Sequence, residues 1–199
     1  SGGGVLATAN FAIHDCLFTG NVAESEGGAV SVLSTGAPIV ALIQGCTFTS
    51  NRVAAGGSGN AMALGVMANA PPQPITLQLI NSTLAGNQPG PEDGASALWG
   101  GAIASADSTL SVRRCTIESN QATLYNGGAI DLYNSPATLV NCAIRANTAA
   151  DAAGAVYLNQ GATNLTATNC TIYGNTAVNN GGGIAMYQAT LNLNNSILY

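Results

Sequence analysis

The 199-residue chain has a formal charge of −5, four arginines (Arg52, Arg113, Arg114, Arg145), no lysine, one histidine (His14), and 7% charged residues, against roughly 25% in ordinary soluble domains. Without clustered cations it lacks what nucleic-acid phosphates and anionic membrane surfaces bind, and few side chains remain for acid–base work. No run approaches the ~18 apolar residues of a membrane-spanning helix, so no membrane insertion is expected in this segment.

In chain order, Ser1-Gly2-Gly3-Gly4-Val5 reads as part of a motif that soon returns in full. Cys16-Leu17-Phe18-Thr19-Gly20-Asn21 is followed by Gly27-Gly28-Ala29-Val30. Further copies of the first element cover residues 46–51, 82–87, 115–120, 142–147 and 170–175, giving C-x-[F/I]-x-x-N, a loop, then G-G-A-[I/V]. A period of about 26 to 36 residues along the whole chain is the mark of a solenoid, in which each unit buries its apolar face only against its neighbours. The chain is therefore read as one domain, 1–199. Both ends fall inside a repeat, so a longer protein with further coils on either side is expected.

Within each repeat the apolar residues alternate with period two, the strand pattern. After the glycines, Val30 and Val32, Ile130 and Leu132, and Ile184 and Met186 are expected to point inward, with Ser31, Asp131 and Ala185 outward. A second block precedes the cysteine position: Phe11 and Ile13, Ala41 and Ile43, Leu77 and Leu79, Leu110 and Val112, Ala137 and Leu139, Leu165 and Ala167, Leu191 and Leu193. The third block is the cysteine and the apolar residue two further on. Parity slips by one between the second and third blocks, which calls for a bend at Asp15, Gly45, Asn81, Arg114, Asn141, Asn169 and Asn195. All but the arginine are residue types that tolerate the left-handed backbone.

Three short strands per repeat, about seven coils and no helix describe an all-β, single-stranded parallel β-helix of roughly triangular section. At ~4.8 Å per strand spacing its length is on the order of 30 Å. Equivalent residues then stack in columns. Asn21, Asn51, Asn87, Asn120, Asn147 and Asn175 are expected to form an amide ladder, as stacked asparagines do in cross-β assemblies.

Cys16, Cys46, Cys115, Cys142 and Cys170 share one inward phase. They are read as packed, reduced thiols, because neighbours one strand apart are wider than the ~3.8 Å Cβ separation a disulfide prefers. Ser82 and Ser196 fill the same column where cysteine is missing. A straight column offers no tetrahedral zinc geometry, and no calcium nonapeptide recurs, so neither metal nor cofactor is expected. The nine carboxylates are scattered; only Glu92 and Asp93 are adjacent. Two interruptions, near residues 65–74 and 88–99, are expected to carry specificity. Trp99, Glu92, Asp93, Tyr133, Tyr157 and Tyr187 are the candidate binding residues, since exposed aromatics on a flat strand face suit glycan or protein recognition. Sequons stand at Asn81, Asn164, Asn169 and Asn194. His14 reads as a solitary surface residue.

Phe18-Thr19-Gly20-Asn21 with Gly27-Gly28-Ala29-Val30, and Phe48-Thr49-Ser50-Asn51, resemble the F-x-x-N and G-G-A-[I/L/V] repeats of the chlamydial polymorphic outer membrane proteins. Similar repeats occur in large secreted proteins of other bacteria and of algae. The resemblance spans the chain, although Leu84, Ile117, Ile144 and Ile172 stand where that family has Phe. It implies a right-handed helix with the pectin-lyase-like fold, an extracellular or cell-surface location, and an adhesive or structural stalk that meets a protein or glycan. An extracellular filament block and a polysaccharide lyase or hydrolase are the alternatives.

Overall fold

The computed structural model describes residues 3–54, 57–66, 73–89, 99–161 and 163–199. All regular structure among them is β. Three seven-stranded sheets, every pair parallel, run the length of the molecule, and each rung contributes one strand to each sheet. The rung of Ile130–Tyr133 (first sheet), Ala137–Val140 (second) and Ala143–Arg145 (third) shows the pattern. The expected all-β parallel solenoid with three strands per turn is what forms.

Pairing is in register, so like residues stack. Ile103, Ile130, Val156 and Ile184 form one inward column, and Leu77, Leu110, Ala137 and Leu165 another. Most of these side chains are fully buried, and each large aliphatic one stabilises the rod by about 1.5–3 kcal/mol. Phe18 stacks on Phe48 with ring centroids 4.8 Å apart.

The corners follow from backbone sterics. All seven residues of the bend before the cysteine column have positive φ: Asp15, Gly45, Asn81, Arg114, Asn141, Asn169 and Asn195, between 44° and 68°. Arg114 adopts the bend despite its residue type. A second left-handed column was not anticipated: Gly20, Ser50, Gly86, Ser119, Ala146 and Gly174 all lie between 53° and 63° just before the ladder asparagine. In the glycine pair the two members differ. The first (Gly27, Gly59, Gly100, Gly127, Gly181) supplies positive φ, while a Cβ on the second (Gly28, Gly101, Gly128, Gly154) would collide with backbone of the adjacent coil. Gly181-Gly182 is therefore the pair in the last repeat, and Gly183 stands in the alanine column of Ala129 and Ala155.

The inward and outward parity is as expected, and burial adds to it. Ser31 and Asp131 lie on the outward parity of the first sheet, yet they are 0% and 6% exposed. Met186 and Leu193 lie in inward columns but are 48% and 42% exposed, since the last rung is stacked on one side only. Cys16 is likewise exposed on the first rung. Finally, a short fourth ladder follows the asparagines: Val22–Ala23 pairs with Arg52–Val53, and Gln121–Ala122, Thr148–Ala149 and Thr176–Ala177 pair in sequence. Its signal was the small apolar residue two after every ladder asparagine but Asn87, which is followed by Pro89; Ala23, Val53, Ala122 and Ala149 are buried.

Candidate functional site

The asparagine ladder forms as expected. Each carboxamide donates from Nδ2 to Oδ1 of the next: Asn21 to Asn51 at 2.8 Å, Asn51 to Asn87 at 3.0 Å, Asn87 to Asn120 at 2.8 Å, Asn120 to Asn147 at 3.0 Å and Asn147 to Asn175 at 2.9 Å. The same Oδ1 atoms also accept the preceding asparagine's backbone N–H. A second Nδ2 proton goes to a carbonyl of the preceding coil, Leu84 for Asn120 and Ile117 for Asn147. Asn120 thus uses two acceptor and two donor positions, the full capacity of a carboxamide. Aspartate would lack the donors, and a longer side chain would not fit.

The cysteine column does more than pack. Each buried Sγ donates to the carbonyl two residues back, Arg113 for Cys115 at 3.2 Å and Val140 for Cys142 at 3.4 Å, and Cys115 Sγ also accepts the Ser82 N–H at 3.4 Å. Ser82 copies this: its Oγ donates to the Ile80 carbonyl at 2.8 Å and accepts the Cys46 N–H at 3.1 Å. Ser196 does so on the last rung. The column selects a small side chain that both donates and accepts, which explains why serine replaces cysteine. All five thiols are free. Burial raises the pKa of Cys46 and Cys115; a hydrogen bond to Cys170, then burial, raises that of Cys142. The same hydrogen bond with Cys142 lowers the pKa of Cys170 to about 6, so it is Cys46, Cys115 and Cys142 that stay protonated, a state in which a thiol is a poor nucleophile and a poor metal ligand.

Polar groups that this scaffold does not consume gather on the outer face of the first sheet. Its outward positions over the last three rungs form two columns, Asp131–Tyr157–Ala185 and Tyr133–Asn159–Tyr187. Tyr133 and Tyr187 are 43% and 55% exposed, with Asn159 between them and Tyr157 half-buried beside Asp131. Tyr133 and Tyr187 therefore share one outward column, and Tyr157 occupies the neighbouring one. The Asp131 carboxyl is buried with Oδ2 unpartnered, and burial raises its pKa to about 8. At neutral pH it is a protonated acid, able to donate a hydrogen bond as a hydroxyl does. The phenol of Tyr157 is raised by burial and by the nearby Asp131, Asp151 and Tyr187. The result is an aromatic, hydrogen-bonding surface of Tyr133, Asn159 and Tyr187 beside a buried carboxyl that the sequence did not single out. Its one signal was a charged residue at a position that carries Ser31 and Ala185 in other coils.

Trp99 stacks on Tyr125 of the next coil at 5.4 Å, which places it on the loops ahead of the first sheet and not on the tyrosine columns. Glu92 and Asp93, and most of both interruptions, lie outside the described residues. Among the described carboxylates, Glu118 pairs with Arg145, and no group of three or more His, Cys, Asp or Glu side chains converges as a metal site would require. The sequon asparagines play backbone and stacking parts. Asn81 Oδ1 accepts Arg114 Nε at 2.6 Å, Asn169 Oδ1 accepts Asn195 Nδ2 at 2.6 Å, and Asn164 Oδ1 accepts Asn192 Nδ2 at 3.3 Å; Asn194 lies at the end of the last strand of the second sheet. No curated protein and no solved structure matches this sequence. Over residues 3–198 the chain matches the right handed beta helix region family, and with in-register parallel stacking over almost its full length it belongs to that family.

Proposed function

We propose that the chain is a rigid, non-catalytic stalk of a secreted or surface-exposed repeat protein, meeting a protein or glycan through the outer face of its first sheet and through its interrupted coils. The observation that carries this reading is the division of labour among polar side chains. The asparagine and cysteine columns spend their hydrogen bonds inside the rod, while Tyr133, Asn159 and Tyr187 share one outward column with Tyr157 in the next. Aromatic rings with polar tips at fixed spacing suit recognition with little loss of side-chain entropy. The F-x-x-N and G-G-A-[I/V] motifs, similar to those of the chlamydial surface adhesins, support the same reading.

The test is surface binding. Labelled protein should bind intact cells or a glycan array, and Tyr133→Ala with Tyr187→Ala should abolish binding while leaving the melting temperature unchanged. Binding that survives the double substitution sinks the assignment to this face. Release of reducing ends or unsaturated uronides from plant or algal polysaccharides would overturn the non-catalytic reading in favour of a lyase or hydrolase.

A further inference from the structure

The second sheet carries a different surface. Its outer face holds a shallow groove of about 450 Å³ between the strands Ile75–Ile80 and Ser108–Arg113, lined by Thr76, Gln78, Ile80, Ser111, Arg113 and Arg114. Two of the four cations of the chain thus stand side by side. Arg114 Nε donates to the amide of Asn81 at 2.6 Å, which fixes the guanidinium root against a neutral partner. Arg113 is exposed, and its strand neighbours are Ile80 on one coil and Val140 on the other. The bend residues on either side of Arg114 are Asn81 and Asn141. No carboxylate therefore occupies an adjacent position in either column, in contrast to Arg145, which pairs with Glu118 on the third sheet. Beside the guanidiniums, Gln78 and Ser111 are register partners and continue into Thr138 and Thr166 on the next two coils, a row of neutral hydroxyl and amide groups along the rod.

We propose that this groove binds an anionic glycan. Arg113 and Arg114 take a sulfate ester or carboxylate, for which the planar guanidinium fork is suited, and the row of hydroxyl and amide groups takes the adjoining sugar hydroxyls. The site lies on a different sheet from the tyrosine face, so it stands or falls independently of the function proposed above. A row of hydroxyl and amide groups that both donate and accept favours a sugar chain over an acidic peptide, whose backbone would seek a free strand edge, whereas both strands of this groove are paired on each side. With a net charge of −5 the rest of the molecule repels polyanions, so binding here is local and falls with salt.

The experiment is titration of the full chain, at low and at physiological salt, with labelled heparin oligosaccharide (sulfate), oligogalacturonate (carboxylate) and polyglutamate. Binding by one or both glycans with weaker binding of polyglutamate is expected, and which glycan binds identifies the anionic group. Arg113→Gln, which leaves the bend untouched, should weaken glycan binding on the order of tenfold, the equivalent of one charge-assisted hydrogen bond. Arg113→Gln with Arg114→Gln should abolish it, and Arg145→Gln should leave it unchanged. Circular dichroism melting checks that each variant is folded. Absence of binding by both glycans, equal binding of polyglutamate, or retention by the folded double variant overturns the proposal.

Discussion

Two columns of this rod are rich in asparagine, and they answer to different physics. The ladder from Asn21 to Asn175 holds asparagine at all six positions, and its central members, Asn51, Asn87, Asn120 and Asn147, are buried. The bend column holds Asp15, Gly45, Asn81, Arg114, Asn141, Asn169 and Asn195, at φ values between 44° and 68°. Inside, the carboxamide is required because it alone offers two donors and two acceptors at that reach, each used by the adjacent coils. At the bend only the left-handed backbone is required, so aspartate, glycine and even arginine serve. A residue type repeated along a solenoid therefore does not reveal its role; the tolerance of its column does.

The contrast can be broken most severely inside. Asn120→Ala leaves the Asn87 backbone N–H without an acceptor and the Asn87 carboxamide with one bond fewer, and should destabilise the rod by about 3–5 kcal/mol in chemical denaturation. A loss under 1 kcal/mol would mean that the ladder is decorative. Asp131 sharpens the comparison from another side, since it is buried like the ladder yet unpaired. Its folded pKa is raised, to about 8, from an ordinary 3.8. Between those values the unfolded state holds fewer protons, so stability falls as pH rises from about 4 to about 8 and levels off above. Asp131→Asn should flatten that slope and gain a few kcal/mol at pH 8; a slope unchanged by the substitution would place the carboxyl in water.

At the bend the effects are smaller. Asn141→Val should cost about 1–2 kcal/mol, since a β-branched residue is forced left-handed, while Asn141→Gly and Arg114→Gly should be neutral or stabilising by under about 1 kcal/mol. Thermal melts of the three variants check the ranking. Smallest of all, Cys115→Ser should change stability by less than about 1 kcal/mol, because Ser82 already makes the same two hydrogen bonds one coil away.

Most of the scaffold was legible in the residues. The recurrence of cysteine, asparagine and the glycine pair exposes the period, and period-two alternation then assigns the inward face of three strands per coil. Two features escaped because their signals are weak. The second left-handed column mixes Gly, Ser and Ala, which carry little preference as a set, and the fourth ladder is two residues long. The burial of Ser31 and Asp131 escaped for a different reason: strand parity tells which way a side chain points but not what lies over it. Asp131 is the residue of the tyrosine face for which that distinction matters most. The arginine groove escaped because Arg113 and Arg114 are adjacent in sequence and so read as neighbours on a turn, whereas their partners Ile80, Gln78 and Asn81 come from the preceding coil.

Side-chain amide hydrogen exchange tests most directly the claim that one asparagine column holds the rod together and the other merely turns it. The Nδ2 protons of Asn51, Asn87, Asn120 and Asn147 should exchange only on global unfolding, whereas those of the exposed Asn81 and Asn141 should exchange near the rate of a free amide. Fast exchange in the ladder, or equal protection of the two columns, would contradict this account.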